Sequence, residues 1–472
     1  MLEKGFDLRA TVEILNIEER IPKDHLLRKI DSAINFEHIY DLVWDKYSAD
    51  KGRKSVDPVV LFKIVLIQHL YGIPSLRQTV REIDMNMAYR WFLGYNFSEE
   101  IPHFATVSYA FSKRYESGIS EKVFQWILYE AERAGYLEPE VVFVDATHVK
   151  ANANLKKKCK KAIPQAARVY DEQLRAEINA NRKEHGKKPF DDDDDKGAGN
   201  YQTRTVTGST TDPDAGLFHK GEHKQCFAYG AHTVCDKNNF ILAVEVTPGN
   251  VHDSVVFDTV YDRLTNRFPT VETVVADAGY KTPWICKKVF DDGRIPSLPY
   301  KRPQTTKGGH NWWEYVYDEY YDQILCPEYK TLNYATTNRE GYREYKSKAY
   351  ICQSCQTRHK CTNSKTCTKT VTQHVWHDYL ERAEDVRLSP HGKATYALRS
   401  QTIERVFADA KEKHGMRYTN HRGLARVTSW VRLKFAAMNL KKLANWKWND
   451  TRFMRFLSVL RIFFDKRESS LA

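Results

Sequence analysis

The chain has 472 residues and carries 73 Lys and Arg against 61 Asp and Glu, a formal net charge of +12. Hydrophobic residues make up 42%, enough for a substantial core, which excludes wholesale disorder. No run approaches the roughly 18–20 consecutive apolar residues of a membrane span, since the best candidate, Pro58–Leu66, is short and carries Lys63.

Met1-Leu2-Glu3-Lys4 lacks the apolar stretch of a signal peptide, so a soluble, cytoplasmic protein is expected. Nine cysteines are too sparse for a disulfide scaffold, yet five of them fall between Cys326 and Cys367. A charge of +12 spread over 55.1 kDa points only weakly to an anionic partner.

The N-terminal region reads as helical. Pro58 suits a first helical turn after Ser55 and Asp57. A second helix is expected from Ser75, with Leu76, Val80 and Ile83 at helical spacing, and further segments over Thr106–Tyr115 and from Glu121. Short helices joined by turns fit a helix-turn-helix DNA reader and fit an ordinary helical bundle equally well.

The pattern changes at Val141. Val141–Asp145 is an apolar β-branched run ending in a carboxylate, a buried strand. Phe227–Val234 and Phe240–Val246 read as strands joined by a turn over Asp236–Asn239. Asp253–Arg267 has a helical pattern, and Thr273–Asp277 is a second strand ending in a carboxylate. This order implies an α/β or α+β layer domain. Residues 150–224 are polar, with an acidic run Asp191–Asp195, and read as a solvated loop. Residues 301–390 interrupt the layer pattern, and helix resumes at His391.

Asp145 and Asp277 each end an apolar strand, where an open sheet presents its ligand crevice. On neighbouring strands they would repel each other unless a cation lay between them, and Mg²⁺ or Mn²⁺ prefers such oxygen donors. Glu404, beside the apolar helical face of Ile403, Val406 and Phe407, is the candidate third carboxylate. Taken singly, a strand-end Asp is as readily a cap and Glu404 a surface ion-pair residue. Their surroundings favour function. His391–Asn449 holds 13 Lys and Arg against 3 Asp and Glu, and Lys156, Lys157 and Lys158 follow Asp145 closely. Acidic cation sites flanked by basic surface suit a polyanionic substrate.

Val144-Asp145-Ala146-Thr147-His148, Ala276-Asp277-Ala278-Gly279-Tyr280 and Ile403-Glu404-Arg405-Val406-Phe407 together resemble the three blocks of a DDE transposase from a bacterial insertion sequence. Thr247–Asp253 and Asn439–Leu443 add matches, so the resemblance covers nearly the whole chain. It implies an RNase H-like mixed sheet flanked by helices, with Asp145, Asp277 and Glu404 holding two Mg²⁺ (or Mn²⁺). The implied activity is cleavage and joining of double-stranded DNA at the element's terminal inverted repeats, by a homodimer at the bacterial nucleoid. Tyr280 is not expected to act as a nucleophile. His148 and His252 are expected near the site in ordinary hydrogen-bonding roles.

Five regions follow from the resemblance. They are an N-terminal helical DNA-binding domain (1–137), a first part of the catalytic core (138–300), a cysteine-bearing insertion (301–390), a helical core segment with Glu404 (391–448) and a basic tail (449–472). Relatives carry a Tyr-x2-Arg-x3-Glu-x6-Lys signature around the catalytic Glu, and Tyr396, Arg399, Glu404 and Lys411 stand in its place. Four residues separate Arg399 from Glu404, and on one continuous helix the extra residue would turn Arg399 by about 100°. Lys156, Lys157, Lys158, Arg405, Lys411 and Arg417 are expected on the DNA backbone, as is Arg399, whose place at a phosphate that rotation puts in question.

Cys352-Gln353-Ser354-Cys355 with Cys361 and Cys326 is the family-like structural Zn²⁺ set; Cys367 could replace Cys326, and His359 is a further donor. Free thiols are the alternative. Trp312 and Trp313 read as packing residues of the insertion or as platforms for an unpaired base. A metal-dependent nuclease on the same core and a DNA-binding regulator without catalysis are the rival functions.

Overall fold

The computed structural model describes residues 14–48, 55–115, 118–164, 171–190, 203–220, 224–301 and 308–468. Met1–Lys4 and the acidic run Asp191–Asp195 lie outside them.

Helices α1 (Ile17–Arg20), α2 (Leu26–Ala33), α3 (His38–Val43), α4 (Pro58–Leu70), α5 (Leu76–Met85), α6 (Met87–Leu93), α7 (Phe104–Tyr109) and α8 (Ile119–Arg133) occupy the first part of the chain. Asp57 caps α4 by accepting the Val59 amide, with Pro58 in its first turn. Ser75 caps α5 through the Gln78 amide.

The central region runs β1 (Val141–Lys150), β2 (Lys158–Pro164), α9 (Asp171–Glu184), β3 (Thr203–Ser209), β4 (Gly216–Lys220), β5 (Lys224–Asp236), β6 (Ile241–Pro248), α10 (Asp253–Arg267), β7 (Thr273–Ala276), α11 (Pro283–Asp291) and β8 (Ile295–Ser297). On one side of β1 lies antiparallel β5, which also pairs with β4 and β6; on the other lie parallel β7 and β8. This is a mixed α/β sheet of the kind the resemblance implies. The turn from β5 to β6 contains Asn239 at φ 62°, a left-handed position that Asn tolerates.

The expectation of a loop over 150–224 is overturned in part, because β2 and β3 form a ribbon there and α9 is a helix of 14 residues. The order of α9 comes from residues far along the chain. Leu174 and Ile178 pack on Trp376, and Arg182 donates to Thr336 Oγ1 and the Thr337 carbonyl, both at 2.8 Å.

The cysteine-bearing region has a sheet of its own: β9 (Val316–Asp318), β10 (Gln323–Leu325), β11 (Thr331–Thr337), β12 (Tyr342–Ser347) and β13 (Thr370–His374), all antiparallel. Helices α12 (Ala349–Gln353) and α13 (Arg358–Cys361) lie between β12 and β13. A small core of Ile324, Leu332 and Tyr345 holds this unit.

The chain then returns through α14 (His377–Leu388), α15 (Pro390–Ala397), α16 (Ile403–Glu412) and α17 (Leu424–Glu468). The expected basic tail from 449 is therefore helical through Glu468, as the end of α17. Helix α17 packs on α2, α4 and α8 and also on β6. One continuous core results, joining Ile64 and Phe124 of the N-terminal helices, Phe143 and Val274 of the sheet, and Val431 and Phe435 of α17. Among the described residues no helix is long and apolar enough to cross a membrane.

Candidate active site

Strands β1 and β7 run parallel with Val144 opposite Ala276, so Asp145 and Asp277 follow at the same level of neighbouring strands. The apolar runs that bury the strands thus deliver two carboxylates to one place. Burial pushes the Asp145 carboxyl up to about 6, against the pull of Arg399 and the Ala146 amide, while the charges of Asp277 and Asp253 push the same way as burial. Asp277 Oδ1 accepts the Gly279 amide at 2.8 Å.

Arg399 stands against this pair. Its Nη2 donates to Asp145 Oδ2 at 2.6 Å, and its side chain is 7% exposed. Its Nε and Nη1 are buried without a hydrogen-bond partner. The expected 100° rotation presumed one helix running from Arg399 to Glu404. Instead Arg399 lies in a 3₁₀ turn, Leu398–Gln401, and the backbone breaks at Thr402 (φ −112°, ψ −102°) before α16 begins. The break lets Arg399 point inward at Asp145 despite the extra residue.

Glu404 lies in the first turn of α16 and is exposed, while Ile403, Val406 and Phe407 are buried, as the apolar pattern predicts. It shares surroundings with Asp277 through Tyr396, whose phenol is raised by burial and further by the charges of Asp277 and Glu404, against Arg399. Among the described residues no three His, Cys, Asp or Glu side chains stand together as a group able to hold a metal. The carboxylate trio is therefore not closed around a cation site here, and Arg399 supplies the positive charge beside Asp145.

The structure brings in residues that sequence reasoning passed over. Asp253 reads as the start of α10, and it also neighbours Asp277. Its carboxyl is raised by burial and by the Asp277 charge. His232 is 2% exposed, its Nε2 bonds Thr247 Oγ1 at 2.9 Å, and its Nδ1 faces Asp253 Oδ1 at 3.5 Å. Burial pushes this imidazole down to about 4. Tyr280 is 1% exposed with an unpartnered hydroxyl. His148 stacks on Phe218 with ring centroids 3.6 Å apart, and His252 caps α10 through the Ser254 amide.

The basic residues gather from distant sequence. Lys150 at the end of β1 pairs with the segment after α16: its amide donates to the Arg417 carbonyl and its carbonyl accepts from Thr419. Lys156, Lys157 and Lys158 follow at the surface, and Arg405 and Arg417 are exposed, Arg417 paired with Glu412. Lys411 is half-buried on α16.

Cys326, Cys352, Cys355 and Cys361 all line one cavity of about 490 Å³. Cys367 and His359 do not line it. His310 lines it as well, with a buried, unpartnered Nε2, and no spacing in the sequence pointed to that residue. Three of the thiols have hydroxyl partners, Ser347 for Cys352, Thr357 for Cys355 and Tyr315 for Cys361, while Cys326 Sγ accepts the Lys330 amide. Burial raises the Cys361 thiol. Trp312 and Trp313, read above as packing residues first, are 50% and 58% exposed.

Against protein-family models, residues 325–444 match the transposase DDE domain, and residues 15–113 match a transposase domain (DUF772). The first match spans the cysteine set and Glu404; the second spans α1–α7. No curated protein and no solved structure matches.

Proposed function

With both matched regions of transposase type the chain is a DDE transposase of an insertion sequence, and on that premise we propose that it binds the terminal inverted repeats of its own element and cuts and joins DNA there. The observation that carries this reading is the parallel register of β1 and β7, which sets two half-buried carboxylates side by side with a buried arginine as their only close cation among the described contacts. A divalent ion fits this donor set: hard oxygen ligands, crowded negative charge and partial burial. Asp145, Asp277 and Glu404 would hold Mg²⁺ or Mn²⁺, which when bound activates water and stabilises a leaving oxygen.

The chain's own residues do the rest. Arg399 neutralises Asp145 in the free protein. Its two unpartnered nitrogens, Nε and Nη1, would suit the oxygens of a phosphate brought to the site. Glu404 joins when bound DNA draws the start of α16 towards Asp277. Lys156, Lys157, Lys158, Arg405, Lys411 and Arg417 hold the backbone by charge. The N-terminal helices and the C-terminal end of α17 recognise the element ends, in a homodimer because two ends must be held together. Cys326, Cys352, Cys355 and Cys361, which line one cavity, would hold a structural Zn²⁺.

A nuclease on the same core would hydrolyse without joining. A strand-transfer assay with pre-cut element ends and a supercoiled target separates the two. Joined product is the expected result, and nicked target with no joined ends would favour the nuclease.

A further inference from the structure

Strand β2 follows β1, the strand of Asp145, and pairs with β3 alone, from Lys158 opposite Ser209 to Pro164 opposite Thr203. Side chains alternate across such a ribbon. One face therefore presents Lys158 and Lys160 with Thr205 and Thr207, and the other presents Cys159 and Lys161 with Val206 and Gly208. The second face turns to the protein. Gly208 is buried, Cys159 and Val206 are half-buried, and Lys161 Nζ donates to the Pro213 carbonyl at 3.3 Å. On the first face Lys158, Lys160 and Thr205 are exposed and Thr207 is half-buried.

An exposed basic face is ordinary, but this one is uncompensated. From Ala146 to Tyr170, and again from Lys196 to Thr211, the sequence holds Lys and Arg but no Asp or Glu. The amines of Lys156, Lys157, Lys158 and Lys160 make no ion pair with a described residue. A two-stranded ribbon is marginal by itself, and like charge crowded on it adds self-repulsion that an anion would relieve. The start of the ribbon is also tied to the active site. Asn152 Nδ2 donates to the Asn420 carbonyl and Arg422 Nε to the Asn152 carbonyl, both at 3.0 Å. The segment after α16, with exposed Arg417 and Arg422, thus adjoins the ribbon, and the two lead back to the helix of Glu404 and the strand of Asp145.

What the face lacks identifies its DNA. A fixed base sequence is read chiefly through the paired donors and acceptors of Arg, Asn and Gln, and none of these stands on the face among the described residues. Lysine meets phosphate as a point charge whatever the sequence. Such a face suits a duplex of changing sequence, which in a joining reaction is the target and not the element's own repeat.

We infer that the ribbon face of Lys158, Lys160, Thr205 and Thr207 is the surface on which target DNA docks, its lysines and hydroxyls set against the duplex backbone beside the active site. The inference rests on the joining activity proposed above and gives that activity a second DNA surface, separate from the one that holds the element ends.

The test loads the full-length protein with pre-cut terminal-repeat duplex and titrates in a labelled duplex of mixed sequence, followed by fluorescence anisotropy at several salt concentrations. Lys160→Gln is expected to weaken capture of the mixed duplex at least threefold and to reduce the salt slope by about 0.9, the share of one phosphate contact. The double variant Lys160→Glu, Thr205→Glu, which places negative charge on both strands of the face, should weaken capture at least tenfold. Affinity for the terminal-repeat duplex should stay within twofold of the parent's in each variant, and Lys161→Gln, on the opposite face, should match the parent on both duplexes. Parental capture by Lys160→Gln and by the double variant overturns the inference and leaves end binding and joining standing. Equal losses on the two duplexes overturn it as well, because they place the ribbon on the element ends. A parent that binds neither duplex overturns the inference together with the DNA reading beneath it.

Discussion

Arg399 and Asp145 form a pair whose members are 254 positions apart, and it is the contact most exposed to test by single substitutions. Removing one partner of a buried ion pair strands the other, at a cost of about 3–5 kcal/mol. Arg399→Ala should therefore lower the stability of the metal-free protein by about 3 kcal/mol in urea unfolding, and Mn²⁺ should recover part of that loss. No loss, or a loss indifferent to Mn²⁺, would contradict the role given to Arg399. At this scale the sequence was only partly legible. Asp145 and Asp277 stood out because each ends an apolar run. Arg399 was misread because spacing along a helix presumes a helix, and Thr402 breaks it. Asp253 was hidden because an aspartate at a helix start already has an ordinary explanation.

At the scale of elements, the strands of the central sheet and α10 followed directly from apolar runs and helical spacing. The sheet of the cysteine region did not, since β11 and β12 alternate tyrosine and threonine with polar residues around a core of only three buried side chains. Helix α9 was hidden for another reason, since its burial is supplied by Trp376, nearly two hundred residues later. Trp376→Ala should free α9, seen as faster amide exchange over Asp171–Glu184 with the exchange of β1 and β7 unchanged; unchanged α9 protection would contradict this packing. A tighter constraint lies between α14 and α15, where a Cβ on Gly392 would fall 1.9 Å from the Val386 carbonyl oxygen. Gly392→Ala should destabilise by about 2 kcal/mol or more through forced backbone shifts, and a melting temperature equal to the parent's would refute it.

For the molecule as a whole, α17 ties the N-terminal helices to the sheet, and its Lys434 sits at that junction. Lys434 is 3% exposed, donates to the His414 carbonyl and faces the Trp430 ring at 4.6 Å. Burial pushes the Lys434 amine down to about 7, and pushes His414 and His421 down to about 4. A lowered folded value means that the unfolded chain binds more protons between the two values, so stability rises with pH across that window. The lysine acts from about pH 7 to 10.5, with a ceiling of about 1.4 kcal/mol per pH unit. The histidines act from about pH 4 to 6.5, where acidification removes stability. Lys434→Met should flatten the rise in melting temperature above pH 7 and leave the loss below pH 6 in place; an unaltered rise would contradict the assignment.

The most direct trial of catalysis is a gel assay of strand cleavage on labelled duplex carrying the element's terminal repeat, with Mg²⁺ or Mn²⁺ present. The parent should release the element end, while Asp145→Asn, Asp277→Asn and Glu404→Gln should each fall by at least about a thousandfold and still shift the duplex in a binding gel. Cleavage at the parental rate by any of the three would contradict the account.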